Sequence, residues 1–368
     1  MYFINRVKTS YYYPIYIYMH SLSLSYLNSL RFSEEHLSTL RLLGEYRGKQ
    51  ALYFKQSPEI LKNLQQVAAI ESSESSNRLE GITAPHNRIA DLVTKNSAPI
   101  DRSEQEIAGY RDALNLIHQS GQYMRLTNNV ILQLHSWLYR YQSQSGGQWK
   151  KLDNQITEIH SDGTRRIRFN PTSAFETPSA MHALIEGYET NIQSIQKEPL
   201  IILPVTILDF LCIHPFSDGN GRTARLLTLL LLYHFDYQVG RYISLERIFE
   251  ESKESYYATL EKSSKGWHEG KHDVMPWMTY FWGVLLRAYN EFEARVGTLK
   301  IGQGSKNAYI RQTAERMIGP FAISDIEKAC PAVSRDTIRL VLRQLRDEGI
   351  IIPQGKGRGA KWKLANSS

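Results

Sequence analysis

Cysteine is nearly missing from this chain of 368 residues. The two that occur, Cys212 and Cys330, show no metal-ligand spacing, which argues against a disulfide scaffold and for a reducing compartment. Long apolar runs are missing too: no stretch is long and apolar enough to span a bilayer, so no membrane role is expected. The N-terminus crowds Tyr11, Tyr12, Tyr13, Tyr16 and Tyr18 around Pro14 but lacks the apolar core and small-residue cleavage site of a secretory signal. Residues 1–30 are therefore expected to be a poorly packed, disordered extension, with Met19 as an alternative start. Beyond those tyrosines there is no internal repeat and no low-complexity tract. What remains is the expectation of a cytoplasmic globular protein.

The composition that is present is ordinary for such a protein, 42% apolar and 22% charged, and the length suits two or three domains. The net charge of +7 is unevenly spread, because residues 305–368 hold 12 Lys+Arg against 6 Asp+Glu. A basic terminal module suggests a polyanionic partner. Apolar residues recur at three- and four-residue steps near 34–46, 58–80, 102–120, 127–142, 178–196, 204–214, 222–235, 253–264 and 274–298, so helices are expected there. The clearest strand signal is a hairpin, EIHS and TRRIRF flanking Asp162-Gly163. Gly302, Gln303, Gly304 and Ser305 read as a linker. The expected architecture is thus mainly α: a helical body at 31–300 carrying a small β-hairpin, and a separate domain at 305–368.

One stretch carries chemistry. Residues 214–225 read HPFSDGNGRTAR and run into the apolar LLTLLLLY. Pro204 suits the first turn of a helix delivering His214 at its end, and a buried central helix should begin near Arg222. A loop at the N-terminus of such a helix faces unpaired N–H groups and a positive dipole end, which favour an anion. Gly219 and Gly221 let backbone amides approach a phosphate. Arg222 and Arg225, three apart, share a face and can hold further phosphate oxygens. Asp218 is a hard oxygen ligand placed for a phosphate-bound Mg²⁺, and His214 is the group able to take a proton near neutrality. A plain Asn-Gly turn needs neither the histidine nor the arginine pair.

At these residues the chain resembles the Fic family, whose core motif H-P-F-x-D/E-G-N-G-R-x-x-R is matched at every fixed position from His214 to Arg225. The resemblance spans roughly residues 60–300 and implies a Fic-type helical core with the hairpin as its flap. It implies transfer of AMP from ATP to a Ser, Thr or Tyr hydroxyl of a target protein. His214 would be the base and Asp218 the Mg²⁺ ligand. Gly219, Asn220, Gly221 and Arg222 would stabilise developing charge, and Arg225 would reach the terminal phosphate. Tyr256 and Tyr257 match a family pair near the adenine, while Ser264 stands where relatives often carry Asn. Upstream, SSNRLEGI at 75–82 closes a helix near 60–81, with Gly81 as its C′ residue. By spacing alone Glu80 is a mildly disfavoured glutamate at the negative end of a helix dipole. The resemblance makes it the family's inhibitory glutamate, pairing with Arg225 while Ser76 helps hold the helix. In some relatives that glutamate supports removal of AMP.

Two further motifs compete. His268-Glu269-x-x-His272 has the zincin pattern, but glycines interrupt the stretch and a loop is the expected reading. The tail reads as three helices and a hairpin, similar to a winged helix-turn-helix. Ser334 caps the recognition helix at 334–348, and Lys356 and Arg358 lie in the wing. Arg335, Arg339 and Arg343 are candidate phosphate contacts, and a protein-contact module is the alternative. Two function classes stay open: a self-inhibited protein adenylyltransferase using ATP and Mg²⁺, and a DNA-binding regulator with a nucleotide-sensing core. A homodimer is left open.

Overall fold

The computed structural model describes residues 21–54, 58–159, 164–193, 198–299, 306–315, 317, 320–330, 333–355 and 361–365. The expectations for residues 1–20, Met19 among them, for the Asp162-Gly163 turn, the 302–305 linker and the 356–360 wing with Lys356 and Arg358 lie outside the described residues. The helices run α1 (Leu24–Ser29), α2 (Glu34–Phe54), α3 (Pro58–Arg78), α4 (His86–Lys95), α5 (Arg102–Ser120) and α6 (Asn128–Leu138). An antiparallel pair follows, β1 (Ile156–Ile159) and β2 (Arg165–Phe169), with Glu158 opposite Arg166. Then come α7 (Thr177–Ile192), α8 (Pro199–Ile213), α9 (Asn220–His234), α10 (Leu245–Glu251), α11 (Lys253–Ser264) and α12 (Met275–Leu299). The tail holds α13 (Lys306–Glu315), α14 (Ile323–Ala329), α15 (Arg335–Asp347), β3 (Ile351–Gln354) and β4 (Lys361–Leu364).

The centre is α9, buried from Asn220 to Tyr233 except at Gly221, with α3, α5, α6 and α8 packed around it. Its leucines join one large apolar core that reaches α12. The helix ahead of it begins earlier than its proline suggests. α8 starts at Pro199, so Pro204 sits inside it. Proline has no N–H to give the carbonyl four residues back, and that carbonyl, Leu200 O, instead accepts from Trp282 Nε1 at 2.8 Å. Trp277 Nε1 donates to Pro204 O at 2.8 Å. Two tryptophans of α12 therefore accommodate the break and tie α8 to the core. α9 likewise begins at Asn220, not Arg222, with Gly219 as its N-cap at φ 79°.

Other helix ends follow local chemistry. Asp101 accepts from Glu104 N–H and Thr127 from Val130 N–H. α3 closes with a Schellman pattern: Ile82 N–H donates to Asn77 O and Gly81 N–H to Arg78 O, each at 3.0 Å, with Gly81 at φ 79°. Gly81 is thus the C′ residue expected, and Glu80 lies one step past the last full turn. The expectation that 1–30 lies outside the packed protein fails for its described part. Ser21, Leu22 and Leu27 are buried, and Asn191 Nδ2 donates to Leu22 O at 2.8 Å.

The tail has its own apolar core. Ile338, Val341, Leu342 and Leu345 of α15 pack with Ile310, Phe321 and Ile351. β3 pairs with β4, and Phe321 bridges to Trp362. Ser334 caps α15 as expected, accepting from Thr337 N–H. Among the described residues no helix is long and apolar enough to cross a membrane.

Candidate active site

α8 ends at His214, whose backbone turns left-handed at φ 51°, ψ 59° while its N–H still donates to Phe210 O. A left-handed non-glycine residue costs about 1 kcal/mol, so the surroundings must hold it. They do so through the loop's carbonyls. Lys150 Nζ donates to Ile213 O at 3.1 Å and Lys150 N–H to Pro215 O at 2.8 Å. Asn154 Nδ2 donates to Phe216 O at 3.0 Å, and His135 Nε2 meets Asp218 O at 3.0 Å. With these carbonyls anchored, the turn presents the start of α9 to the cavity. Gly219, Asn220 and Gly221 line a cavity of about 510 Å³ together with His214, Asp218 and Arg225.

The electrostatics of that cavity are asymmetric. His214 Nδ1 lies 3.2 Å from Leu211 O. A carbonyl can only accept, so Nδ1 carries the proton and Nε2 is left as the acceptor. Burial pulls the imidazole pKa down to about 4; the Leu211 bond opposes this, the Lys150 ammonium adds to it, and Glu80 and Asp218 oppose it. The ring is therefore neutral at neutral pH. Asp218 is 68% exposed, and its Oδ1 accepts from Gly219 N–H at 2.7 Å. Among the described residues no group of three or more His, Cys, Asp or Glu could hold a metal ion by itself. One exposed carboxylate beside a row of amides suits a Mg²⁺ that arrives bound to phosphates, since that ion keeps waters and takes few protein ligands.

The two arginines of α9 diverge. Arg225 Nε donates to Ser76 Oγ and Nη2 to Ser76 O, both at 2.8 Å, and Nη2 also donates to Glu80 Oε1 at 2.7 Å. Burial alone would lower the Arg225 pKa, and the Glu80 carboxylate does most to hold it above the ordinary value instead. Glu80 Oε1 occupies the space a Cβ on Gly221 would need. Arg222 reaches deeper: it is 1% exposed, its Nη1 donates to Glu106 Oε2 at 2.7 Å, its Nη2 lies 3.7 Å from Asp218 Oδ2, and it does not itself line the cavity.

Residues 125–232 match the sequence model of the Fic/DOC family. Over that stretch the chain is similar to Fic domains. It is similar to a Fic family protein from Desulfovibrio desulfuricans G20 (TM-score 0.59, 18% identity, 92% of this chain and 98% of that one). A Fic domain containing signaling protein from Bacteroides thetaiotaomicron VPI-5482 is also similar, with TM-score 0.58, 21% identity, and 70% and 98% of the two chains covered. At these identities the likeness is one of fold. Among curated relatives, a Fido domain-containing protein of Dictyostelium discoideum is 27% identical over 119 residues, 31% of this chain and 79% of that protein. A ribonucleoside-diphosphate reductase small chain of Ostreid herpesvirus 1 is 36% identical over 78 residues. This chain spans only 14% of the viral protein's length.

Most of the expected site residues come together in the structure. His214, Asp218, Gly219, Asn220, Gly221, Arg225, Glu80, Tyr256, Tyr257 and Ser264 all line the one cavity. Tyr257 Oη donates to Leu79 O at 3.2 Å, so the tyrosine pair also touches the segment bearing Glu80. The hairpin lines the cavity as well and leans on α11, where Glu261 pairs with Arg166 and Arg168. Two of the motif's side chains already have protein partners. Arg222 pairs with Glu106 at 2.7 Å and lies 3.7 Å from Asp218. Asn220 lines the cavity, but its amide is taken by the loop: Oδ1 accepts from Phe216 N–H at 2.9 Å and Nδ2 donates to Phe216 O at 2.8 Å. It staples the turn rather than offering a free donor.

The stretch with the zincin-like pattern is the loop expected there. Residues 265–270 form a turn, not a helix. His268 stacks on Phe169 at 5.3 Å and meets Asn170 O, whereas His272 is buried against Ser21 Oγ and the ring of Tyr26. Sequence reasoning missed the residues behind the loop, namely His135, Lys150 and Asn154. Their signal is faint. Only Gly146-Gly147 marks where that wall must pass close to α6.

Proposed function

We propose that this chain is a self-inhibited protein adenylyltransferase, moving AMP from ATP onto a Ser, Thr or Tyr hydroxyl of a target protein. Fic domains are known for nucleotidyl transfer to proteins. What supports this reading most is that a neutral His214, an exposed Asp218 and the first amides of α9 share one cavity with Arg225, whose guanidinium is held by Glu80.

In the step, the target oxygen attacks the α-phosphorus in line as its proton passes to Nε2 of His214. The bond from that phosphorus to the bridging oxygen breaks, and pyrophosphate leaves with the electron pair. The Gly221 amide would meet the developing negative charge, joined by Gly219 N–H once Asp218 Oδ1 releases it. Asp218 would hold Mg²⁺, which supplies charge neutralisation on the phosphates. Arg225, freed of Glu80, would take the terminal phosphate. While Glu80 holds Arg225 and lies against Gly221, the triphosphate lacks both that cation and room at the second glycine. Removal of AMP by the form that keeps Glu80 is a branch of the same reading, tested by loss of label from a modified target on adding parent protein.

The test is labelling with α-phosphate-labelled ATP and Mg²⁺, comparing parent, Glu80→Gly, and Glu80→Gly with His214→Ala. Label on protein that rises with Glu80→Gly and disappears with His214→Ala is expected. Equal labelling in parent and Glu80→Gly refutes self-inhibition, and no label in any form refutes transfer.

A second reading has its own support in the tail, whose α15 exposes Arg335, Arg339 and Arg343, in a helix–helix–helix–hairpin order similar to a winged helix. Two of these are already engaged locally, Arg335 with Glu327 and Arg339 with Asp336, each at 3.1 Å. A DNA-binding regulator requires duplex affinity that falls steeply with salt, and salt-independent or absent binding would remove that reading.

A further inference from the structure

We infer that His135, on α6 and outside the motif, is the positioning residue that sets the phosphate-binding loop in its working shape. This rests on the reading of the loop given under Proposed function. Both ring nitrogens are used, and each partner dictates what its nitrogen does. Gly147 N–H reaches Nδ1 at 2.8 Å. A backbone N–H can only donate, so Nδ1 is the acceptor and the proton sits on Nε2. Nε2 therefore donates to Asp218 O at 3.0 Å. The tautomer is the reverse of that at His214, which bears its proton on Nδ1. Each histidine is fixed by backbone groups, one to hold the loop and one to leave Nε2 open in the cavity.

Packing makes the position exact to the size of a ring. The imidazole stacks on Phe216, centroids 3.7 Å apart and planes within 6°, and Tyr139 tilts against it at 4.8 Å. On its far side the chain must pass as Gly146-Gly147. A Cβ on Gly146 would stand 2.6 Å from His135 O, and one on Gly147, at φ 80°, 2.9 Å from Leu132 O. On its near side a Cβ on Gly219 would meet Nε2 at 3.3 Å. The ring thus fills the gap between a glycine pair and the loop, and its hydrogen bond aims the Asp218–Gly219 peptide. That one peptide directs both the carboxylate of Asp218 and the first amides of α9. Losing the bond would leave a carbonyl and an N–H without partners and let the peptide rotate.

The experiment uses the full chain in the Glu80→Gly background, with two replacements. His135→Phe keeps a flat ring against Phe216 and removes both hydrogen bonds. His135→Gln gives up the ring and keeps a donor beside an acceptor. Two readouts are taken: calorimetric affinity for ATP with Mg²⁺, and amide hydrogen exchange of the 214–222 segment without nucleotide. Expected are cooperative thermal transitions in both variants, with a lowered midpoint in His135→Phe, and, in His135→Phe, about tenfold weaker ATP binding. Exchange in 214–222 should be about tenfold faster in His135→Phe, and His135→Gln should recover most of both. Parent-like exchange in His135→Phe overturns the inference, as does equal loss in both variants, which would make the ring's bulk the cause. Should His135→Phe fail to fold, His135→Gln with parent-like exchange sustains the inference and with faster exchange overturns it. If the Glu80→Gly protein itself binds no ATP, the functional reading fails at that point, and the exchange measurement still decides the role of His135.

Discussion

Arg222 and Arg225 stand three residues apart on α9, and each meets a glutamate oxygen at 2.7 Å. The pairs have opposite characters. Glu106 is 7% exposed and comes from the interior helix α5, so its pair with Arg222 is closed to water. Glu80 is 32% exposed and comes from the end of α3, so its pair with Arg225 borders the cavity. Asn77 places Oδ1 3.5 Å from Arg222 Nη1, while Ser76, one residue earlier, accepts two hydrogen bonds from Arg225. Adjacent residues of one helical turn thus serve both arginines. A buried charge left alone is costly, but Arg225, itself only 2% exposed, keeps its two hydrogen bonds to Ser76 when the partly exposed Glu80 leaves. The same distance therefore describes a structural bond in one case and a releasable one in the other.

The largest expected effect breaks the structural pair. Glu106→Ala should leave Arg222 in the core with only the longer contacts to Asp218 at 3.7 Å and Asn77 at 3.5 Å and lower stability by about 3 kcal/mol, read from the urea midpoint at constant slope. Glu80→Gly should cost about 1 kcal/mol or less, the order of a partly exposed pair, while Ser76 continues to hold Arg225. If the two substitutions cost the same, the distinction between the pairs is wrong.

Next in size is Gly221→Ala. A Cβ there overlaps Glu80 Oε1, and overpacking of this kind costs about 1–3 kcal/mol. With Glu80→Gly already present the obstacle is gone, so the penalty should shrink by at least half. An unchanged penalty in the double variant would show that the carboxylate does not rest on the glycine. ATP affinity in the single variant should also fall, because the methyl projects into the space the phosphates need.

These contrasts mark where sequence stops being informative. The motif from His214 to Arg225 could be read because each residue type answers a local need: a base, a hard oxygen, bare amides, a cation. The brake at Glu80 could be read only with the help of a resemblance, since the spacing of Ser76 and Glu80 says they share a face and not what they face. Arg222 was assigned to phosphate because spacing places it beside Arg225. Its direction was decided by Glu106, over a hundred residues earlier, and no local pattern announces that partner. His135, Lys150 and Asn154 escaped for the same reason, being a histidine, a lysine and an asparagine of no motif whose roles exist only once the loop lies against them. Pro204 misled by a different route. It reads as a helix start until Trp282 supplies the partner for the carbonyl that proline leaves open.

The smallest expected effect is an electrostatic one at His214. Glu80 raises the pKa of that imidazole, though burial dominates and holds it at about 4. Glu106 is not among the groups that shift it. Glu80→Gly should therefore move the His214 titration further acid by a fraction of a unit, and a folded Glu106→Gln protein should leave it in place. The histidine proton resonances, followed by NMR from pH 7 downward, report this directly. A base of depressed pKa is deprotonated above its folded value. Transfer by Glu80→Gly should accordingly stay level from pH 8 to about 5 and fall only on approaching 4, rather than halving near the ordinary imidazole value of about 6.5. The same depression carries a stability consequence of fixed sign. The unfolded imidazole binds its proton near 6.5 and the folded one near 4, so stability declines as pH falls through that interval. A titration midpoint at 6 or above would mean that His214 is hydrated and poorly held, and the contrast between a fixed loop and a releasable arginine would lose its fixed half.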